Sequence, residues 1–116
     1  MKNFLAMYIG SASALNHWKT MDEGRRSQQE KAGKEAWGKW MATNEKSIID
    51  RGSPLGKTKR ISAQGISDTK NELVAYAIVQ AESHEAAAKL FENHPHFLIF
   101  PGDSVELMEC LPMPQM

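Results

Sequence analysis

The segment Leu73-Val74-Ala75-Tyr76-Ala77-Ile78-Val79 decides the fold, because it is apolar at every position. A continuous apolar run of this length is typical of a strand in a sheet that is covered on both faces. Ser83 follows as a good helix N-cap, and Glu85 suits the positive end of the helix dipole. The next residues supply an apolar helical face, formed by Ala86, Ala87, Leu90 and Phe91. The stretch therefore predicts a buried strand followed by a helix on the sheet.

A similar pair of elements precedes this one. Residues 3–9 are apolar, rich in Phe, Tyr and Ile, and closed by Gly10, which predicts a buried first strand. Residues 11–26 show no period and predict a loop with at most one helical turn. The first helix begins at the capping box Ser27-Gln28-Gln29-Glu30, or one to two turns earlier at Thr20-Met21-Asp22-Glu23, and it ends near Asn44.

Two further strands complete the predicted sheet. Residues 57–63 alternate polar with small or apolar side chains, which indicates an edge strand, and residues 64–70 form a turn. Pro95 terminates the second helix, and residues 105–111 form the last strand. The order strand, helix, strand, strand, helix, strand predicts an α+β, ferredoxin-like βαββαβ fold with a four-stranded antiparallel sheet and two helices on one face. We expect one domain over residues 1–116.

Composition excludes several classes of protein. The chain has 14 Lys+Arg against 14 Asp+Glu, which argues against an electrostatic nucleic-acid binder. No segment approaches the roughly 18 apolar residues of a membrane span. Cys110 is the single cysteine, so no intrachain disulfide forms, and we expect a cytoplasmic protein with a buried, structural thiol.

The apolar strands also predict how the chain assembles. Two helices cover only one face of four strands, yet the first and third strands are apolar at nearly every position. The first strand, for example, places one apolar set on each face, Phe4, Ala6 and Tyr8 against Leu5, Met7 and Ile9. Since monomers avoid a large exposed apolar face, we expect a homodimer closed through the sheet faces by two-fold symmetry.

A series of ordered landmarks resembles the YCII-related (DGPF) family. They are Phe4-Leu5-Ala6-Met7-Tyr8-Ile9-Gly10, Tyr76-Ala77-Ile78-Val79-Gln80-Ala81-Glu82-Ser83, His84-Glu85-Ala86-Ala87, His94-Pro95, Gly102 and Val105-Glu106-Leu107. The resemblance implies a dimeric α+β barrel, and a few similar proteins act on small aromatic compounds with a histidine and a carboxylate. The family's Asp-Gly-Pro-Phe tetrapeptide is absent, and only Asp68 stands near the equivalent turn. An Arg-x-x-His element found after the first strand in some members is also missing, although His17 lies in that region.

The cluster His94-Pro95-His96, followed by Asp103, is the candidate catalytic site. One imidazole would act as a base and the other would orient it, with the carboxylate as partner. A metal site would need a third ligand such as Asp103 or Glu106, and we expect neither a metal nor another cofactor. The alternative is structural, with His94 satisfying backbone groups at a helix end.

Four other residues are candidate ligand contacts. His17 lies in the loop after the first strand, where loops commonly build pockets, and Asp68 lies in the predicted turn. Tyr8 and Tyr76 could stack on an aromatic ligand, although such positions also suit core or dimer residues. The stretch Gly52-Ser53-Pro54-Leu55-Gly56-Lys57-Thr58 is one residue short of a phosphate loop and precedes a strand, so we discount it.

Two functions remain open. The first is a small-molecule-binding protein or enzyme that acts on a small aromatic metabolite through a histidine–carboxylate pocket. The second is a non-catalytic dimeric interaction or regulatory module. A pocket protein should contain an apolar cavity with a histidine–carboxylate hydrogen bond directed into it. An interaction module should have a filled interior and outward-facing histidines.

Overall fold

The fold is seen in a computed structural model that describes residues 1–114. A 3₁₀ turn at Glu45–Ser47 leads into the second strand. The strands and helices, in chain order, are β1 (Lys2–Ile9), α1 (Ala12–Lys19), α2 (Glu23–Thr43), β2 (Ile48–Pro54), β3 (Thr58–Ser62), β4 (Gly65–Thr69), β5 (Leu73–Ala81), α3 (His84–Lys89), α4 (Pro95–Leu98) and β6 (Ser104–Glu109).

The main sheet has the ferredoxin-like strand order β2-β5-β1-β6, with every neighbouring pair antiparallel. The predicted α+β fold is therefore confirmed. In the central pair, Phe4 lies opposite Val79 and Ala6 opposite Ala77. These side chains point to the helices and form the core, which comprises Phe4, Ala6, Tyr8, Ala77, Val79, Ala81, Ala87 and Phe91. Period-two alternation along β1 places its even-numbered residues on this face.

The opposite face of the sheet, which we term the open face, is apolar along its two central strands, as predicted. Leu5 lies opposite Ile78, and Met7 lies opposite Tyr76. On the outer strand, Met108 pairs with Leu5 and is 43% exposed. Within residues 1–114, the helices pack on the other side of the sheet.

The second strand is not where the sequence places it. The edge strand of the main sheet is β2, and residues 57–70 form a separate two-stranded hairpin of β3 and β4 instead of a strand and a turn. The alternation of β2 is broken by register shifts on both sides of Asp50. Gly52 has a left-handed φ of 72°, and its N–H donates to Asp50 Oδ1 at 2.8 Å. These bulges remove the period that would identify the strand.

Helix boundaries also differ from the sequence prediction. The region expected to be a loop contains α1, whose N-cap Ser11 accepts a hydrogen bond from Ala14 N–H. Asp22 caps α2 by accepting from Arg25 N–H, so this helix starts within the earlier of the two proposed boxes, with its N-cap two residues after Thr20. It ends at Thr43, close to the predicted end.

The second helical region is divided in two. Ser83 caps α3 as predicted, but α3 ends at Lys89. Pro95 then begins α4 at its first helical position, where its fixed φ is favourable and no N–H is needed. The prediction that Pro95 terminates a helix is therefore wrong.

The structure bears on two expectations from composition, a buried thiol at Cys110 and the lack of a membrane span. Cys110 is exposed and lies just beyond β6, so the expectation of a buried thiol is wrong. Among residues 1–114, no helix is both long and apolar enough to cross a membrane.

We predict that Gly52→Ala destabilises the fold strongly. A Cβ at this position would lie 1.6 Å from the Tyr76 carbonyl oxygen, and its backbone is left-handed. The combined clash and backbone strain should lower the free energy of unfolding by about 2–5 kcal/mol. Gly56→Ala is the control, because a Cβ there meets nothing within 4 Å. Urea denaturation measures both, and equal stabilities would contradict the bulge.

Candidate functional site

His94 is a wholly buried polar residue that joins α4 to β1. As the N-cap of α4, its Nδ1 accepts a hydrogen bond from His96 N–H at 3.0 Å. The proton of the neutral ring therefore resides on Nε2, which lies 3.3 Å from the Tyr8 hydroxyl oxygen and donates to it. This assignment makes His94 a neutral, singly protonated imidazole.

The surroundings keep this pair uncharged. Burial, with a smaller contribution from neighbouring His96, lowers the pKa of His94 to about 4. Burial also raises the pKa of the Tyr8 hydroxyl well above its usual range. At neutral pH both side chains are therefore neutral hydrogen-bonding groups.

Aromatic rings fill the space around His94. Its ring lies at a steep angle to those of Trp37 and Trp40, with centroids 4.5 Å and 4.6 Å away. Trp40 Nε1–H is satisfied by the Leu90 carbonyl at 2.7 Å. Tyr8 packs on Trp37 at 5.2 Å, so the interior between the sheet and α2 is occupied by side chains. This packing favours the structural alternative for His94, in which its ring satisfies backbone groups at a helix end.

His96 lies at the edge of the same core and is 6% exposed. Its Nε2–H donates to the Ile9 carbonyl at 2.8 Å. Burial lowers the pKa of His96, while the carbonyls of Ile9 and Ser104 and the charge of Asp103 act in the opposite direction. The ring presses against Gly102, where a Cβ would lie only 2.3 Å from His96 Cε1. Position 102 must therefore be a glycine for His96 to keep this place.

Gly102 also forms part of the wall of a surface cleft of about 530 Å³. We term it the helical cleft, because α1, the start of α2 and the loop after α4 surround it. Its aromatic walls are Trp18 and Phe100, whose ring centroids are 6.2 Å apart. Its polar lining includes His17, Asp22, Arg25 and Gln29.

The charged groups of the helical cleft come from the first turn of α2. Among residues 1–114, the Arg25 guanidinium takes part in no ion pair, since the two pairs are Lys2–Glu109 and Lys59–Asp68. Asp22 Oδ2 accepts from the Arg25 backbone N–H. The cleft therefore offers one cationic donor and one carboxylate acceptor beside two aromatic rings.

Sequence reasoning missed Arg25, Gln29 and Phe100. The cleft depends on α1 and on the start of α2 at Glu23, and both lie in the region that the sequence assigns to a loop. The residues signalling this were the N-caps Ser11 and Asp22, each followed by a helix-compatible stretch. His17, predicted from its place after β1, does lie on this cleft and is exposed.

The structure separates the other predicted site residues. Asp103 is exposed and accepts a hydrogen bond from Ser104 Oγ at 3.1 Å, and no carboxylate within residues 1–114 hydrogen-bonds to His94 or His96. Asp68 lies on the β3–β4 hairpin and pairs with Lys59 at 2.6 Å. Tyr76 lies on the open face, whereas Tyr8 lies in the core. The predicted set does not assemble into one pocket, and the roles predicted for its members stay predictions.

The structure also bears on the metal site and the phosphate loop considered from the sequence. In the part of the chain that the structure describes, no three His, Cys, Asp or Glu side chains are grouped to hold a metal. Glu106, suggested as a third ligand, lies opposite Met7 on the open face, away from His96. Lys57 and Thr58 lead into the strand β3, so the helix that a phosphate loop needs does not follow them.

We predict that His94 makes the fold sensitive to acid. An unfolded histidine has a pKa of 6.5 and folded His94 about 4, so the unfolded state binds more protons below pH 6.5. Stability is present above that pH and falls as the pH approaches 4, by roughly 2–3 kcal/mol between about pH 7 and pH 4.5. Denaturant melts across this range should show a shallower dependence for His94→Asn, since Asn still caps α4.

His17→Asn is the control, because His17 is exposed and its side chain makes no hydrogen bond within residues 1–114. It should retain the slope of the unmodified protein. A His94 imidazole that titrates near 6.5 by NMR would contradict the neutral assignment.

Comparisons with known proteins find a likeness of structure but none of sequence. No protein-family model and no curated protein sequence matches the chain. A solved structure of 5-chloro-2-hydroxyhydroquinone dehydrochlorinase from Burkholderia phenoliruptrix AC1100, in complex with 2,5-dihydroxybenzoquinone, is similar with 17% identity and a TM-score of 0.49. The alignment covers 90% of this chain and 89% of that one. At this level the likeness carries no argument about activity, and the resemblance to the YCII-related family stays a prediction.

Proposed function

We propose that this protein binds a small aromatic carboxylic acid in the helical cleft. The observation that carries the proposal is a guanidinium without an ion-pair partner in residues 1–114, beside two aromatic rings. A volume of about 530 Å³ is within the usual range for small-molecule sites. The proposal agrees with the family resemblance stated from the sequence, and it uses a different set of residues.

The aromatic part of the ligand is held by Trp18 and Phe100. Both rings are partly buried, and they are tilted by 45° to one another. The two rings already contact each other, so a planar ligand ring would pack against the side of the pair that faces the cleft, where aromatic contacts are favourable. An aliphatic acid of equal charge would lose most of this contact.

The polar groups of the ligand are held by Arg25 and Asp22. A guanidinium offers two parallel N–H donors that match a carboxylate, and the N-terminal end of α2 adds a favourable dipole. Asp22 repels an anion but accepts a hydrogen bond from a hydroxyl group. The cleft therefore suits an aromatic acid that carries a ring hydroxyl, with its carboxylate toward Arg25.

The histidines have two roles in this proposal. His17 is exposed at the rim, so an enzyme using this cleft would exchange a proton with the ligand through it. His96 stands behind Gly102 and fixes the loop that forms one wall. His94 holds α4 in place through the cap and Tyr8, and the catalytic roles predicted for His94, His96 and Asp103 would require the loop to open.

We predict that 4-hydroxybenzoate binds and that Arg25→Gln weakens binding by about 10- to 100-fold, the effect expected for loss of a charge-assisted hydrogen bond. Isothermal titration calorimetry measures the affinity. Arg26→Gln is the matched control, because the Arg26 guanidinium donates to the Lys19 carbonyl and does not line the cleft.

Comparing related ligands separates the contribution of the aromatic contact from that of the contact with Arg25. Cyclohexanecarboxylate should bind more weakly than benzoate, and benzyl alcohol should be insensitive to Arg25→Gln. Equal losses for Arg25→Gln and Arg26→Gln, or no binding by any aromatic acid at millimolar concentration, would count against the cleft.

The open face supports a second proposal, that of a homodimer closed sheet to sheet. Its residues remain partly accessible in the single chain although they are apolar, and they are Leu5, Met7, Tyr76, Ile78 and Met108. A contiguous apolar face of this kind marks an interaction surface. It also favours the alternative function of a non-catalytic dimeric module, in which case the helical cleft would bind no aromatic acid.

We predict that Met7→Asp converts the dimer to a monomer, because it would bury an unpaired charge between the two sheets. Sedimentation velocity at low micromolar concentration measures the oligomeric state. Leu98→Asp is the control, since Leu98 is 60% exposed on α4 and lies on the other side of the molecule. Thermal melts of both variants monitor folding, and an unmodified chain that is monomeric under these conditions would rule the dimer out.

A further inference from the structure

The β3–β4 hairpin extends away from the rest of the molecule. It forms a two-stranded sheet of its own, and every residue from Lys59 to Asn71 is exposed. The chain measures 55 × 42 × 18 Å with a radius of gyration of 16.3 Å. A compact domain of about this length has a radius of gyration near 13 Å. Since isolated two-stranded hairpins are only marginally stable in water, this segment has the features of an arm that packs on a partner.

One face of the hairpin carries a pair of exposed isoleucines. Ile61 and Ile66 are paired across the two strands and are 73% and 72% exposed. The ion pair of Lys59 and Asp68 stands beside them on the same face, while Arg60 lies on the other. An exposed, β-branched pair at the centre of a ribbon offers a compact surface for association.

Charge is distributed unevenly along the chain, and this distribution favours a second copy of the chain as the partner of the hairpin. Residues 1–70 contain all the basic residues except Lys89, and half of the acidic residues lie after Lys70. The hairpin and its flanks carry four basic residues, Lys57, Lys59, Arg60 and Lys70, against the single acid Asp68. The outer strand β6 and the residue before it carry Asp103, Glu106 and Glu109 with no basic residue, and of these Glu109 pairs with Lys2. A chain with no net charge thus contains two complementary surfaces.

The strand order places these surfaces where two copies can join them. The hairpin leaves from β2, and β6 is at the opposite edge of the sheet. Leu73 and Ser104 both pair with Ile9, so the hairpin leaves at the same end of the sheet where β6 begins. A two-fold axis parallel to the strands, between two open faces, brings the hairpin of each copy beside β6 of the other.

We infer that the β3–β4 hairpin is an arm that packs on the β6 edge of a second copy of this chain, with Ile61 and Ile66 in apolar contact. The inference rests on the homodimer proposed above. The basic flanks of the arm face the partner's Asp103 and the partner's Glu106. Because Pro101 and Gly102 precede this edge and line the helical cleft, each arm lies next to the partner's ligand site.

Charge reversal tests the inference with two variants. An arm variant carries Lys57→Glu and Lys70→Glu at the two ends of the hairpin, which leaves the Lys59–Asp68 pair intact. An edge variant carries Asp103→Lys and Glu106→Lys. Each variant alone should dimerise about tenfold or more weakly than the unmodified chain. An equimolar mixture should form heterodimers of restored affinity, since both arm–edge contacts are then attractive. Lys31→Glu with Lys34→Glu, on an exposed part of α2, is the control.

The outcomes separate this inference from the dimer on which it rests. Loss of association by the arm variant with rescue in the mixture supports the arm. If Met7→Asp dissociates the dimer while the arm variant, the edge variant and their mixture all behave as the unmodified chain, the arm is wrong and the dimer stands. An unmodified chain that stays monomeric at high concentration overturns both. If arm reversal abolishes binding to duplex DNA but leaves the dimer unchanged, the arm contacts a polyanion and the inference also fails.

Discussion

A hydrogen bond between two buried neutral side chains, Tyr8 on β1 and His94 at the start of α4, is the constraint on which the rest of the arrangement depends. It lies inside a shell of aromatic rings, where an unmet donor or acceptor would cost about 1–3 kcal/mol. His94 must therefore point at β1 while it caps α4, and this orients the turn that follows. That turn places His96 at hydrogen-bonding distance from the Ile9 carbonyl and packs Gly102 against the His96 ring. The position of one wall of the helical cleft therefore depends on contacts made in the core.

Much of the fold could be predicted from local pattern. The continuous apolar runs of β1 and β5 identify the two central strands. Ser83 identifies the start of α3, because its hydroxyl accepts a hydrogen bond from the Ala86 backbone N–H. The apolar face opposite the helices follows from the same runs, since successive side chains in a strand alternate in direction. These predictions succeed because each depends on a few neighbouring residues.

The misplaced elements depend on contacts between distant residues. The bulged strand β2 has no alternation to recognise. The need for glycine at position 52 arises from the close approach of Tyr76 on the neighbouring strand, which the local sequence does not show. The β3–β4 hairpin has the alternation of a sheet strand but pairs only with itself. The structure separates the predicted site residues for the same reason. His94 and Asp103 are close in sequence, yet one is enclosed and the other is exposed, whereas Arg25 and Phe100 are far apart in sequence and meet at one cleft.

The pairing of β1 with both β5 and β6 has a consequence for the time course of folding. Phe4 lies opposite Val79 on one side and Glu109 on the other, so the central strand finds its neighbours only across most of the chain. Closing such long loops is entropically unfavourable and slow relative to local helix formation. On the ribosome, the apolar side chains of β1 therefore stay unpaired until β5 has been synthesised, and transiently exposed apolar surface of this kind is prone to aggregation.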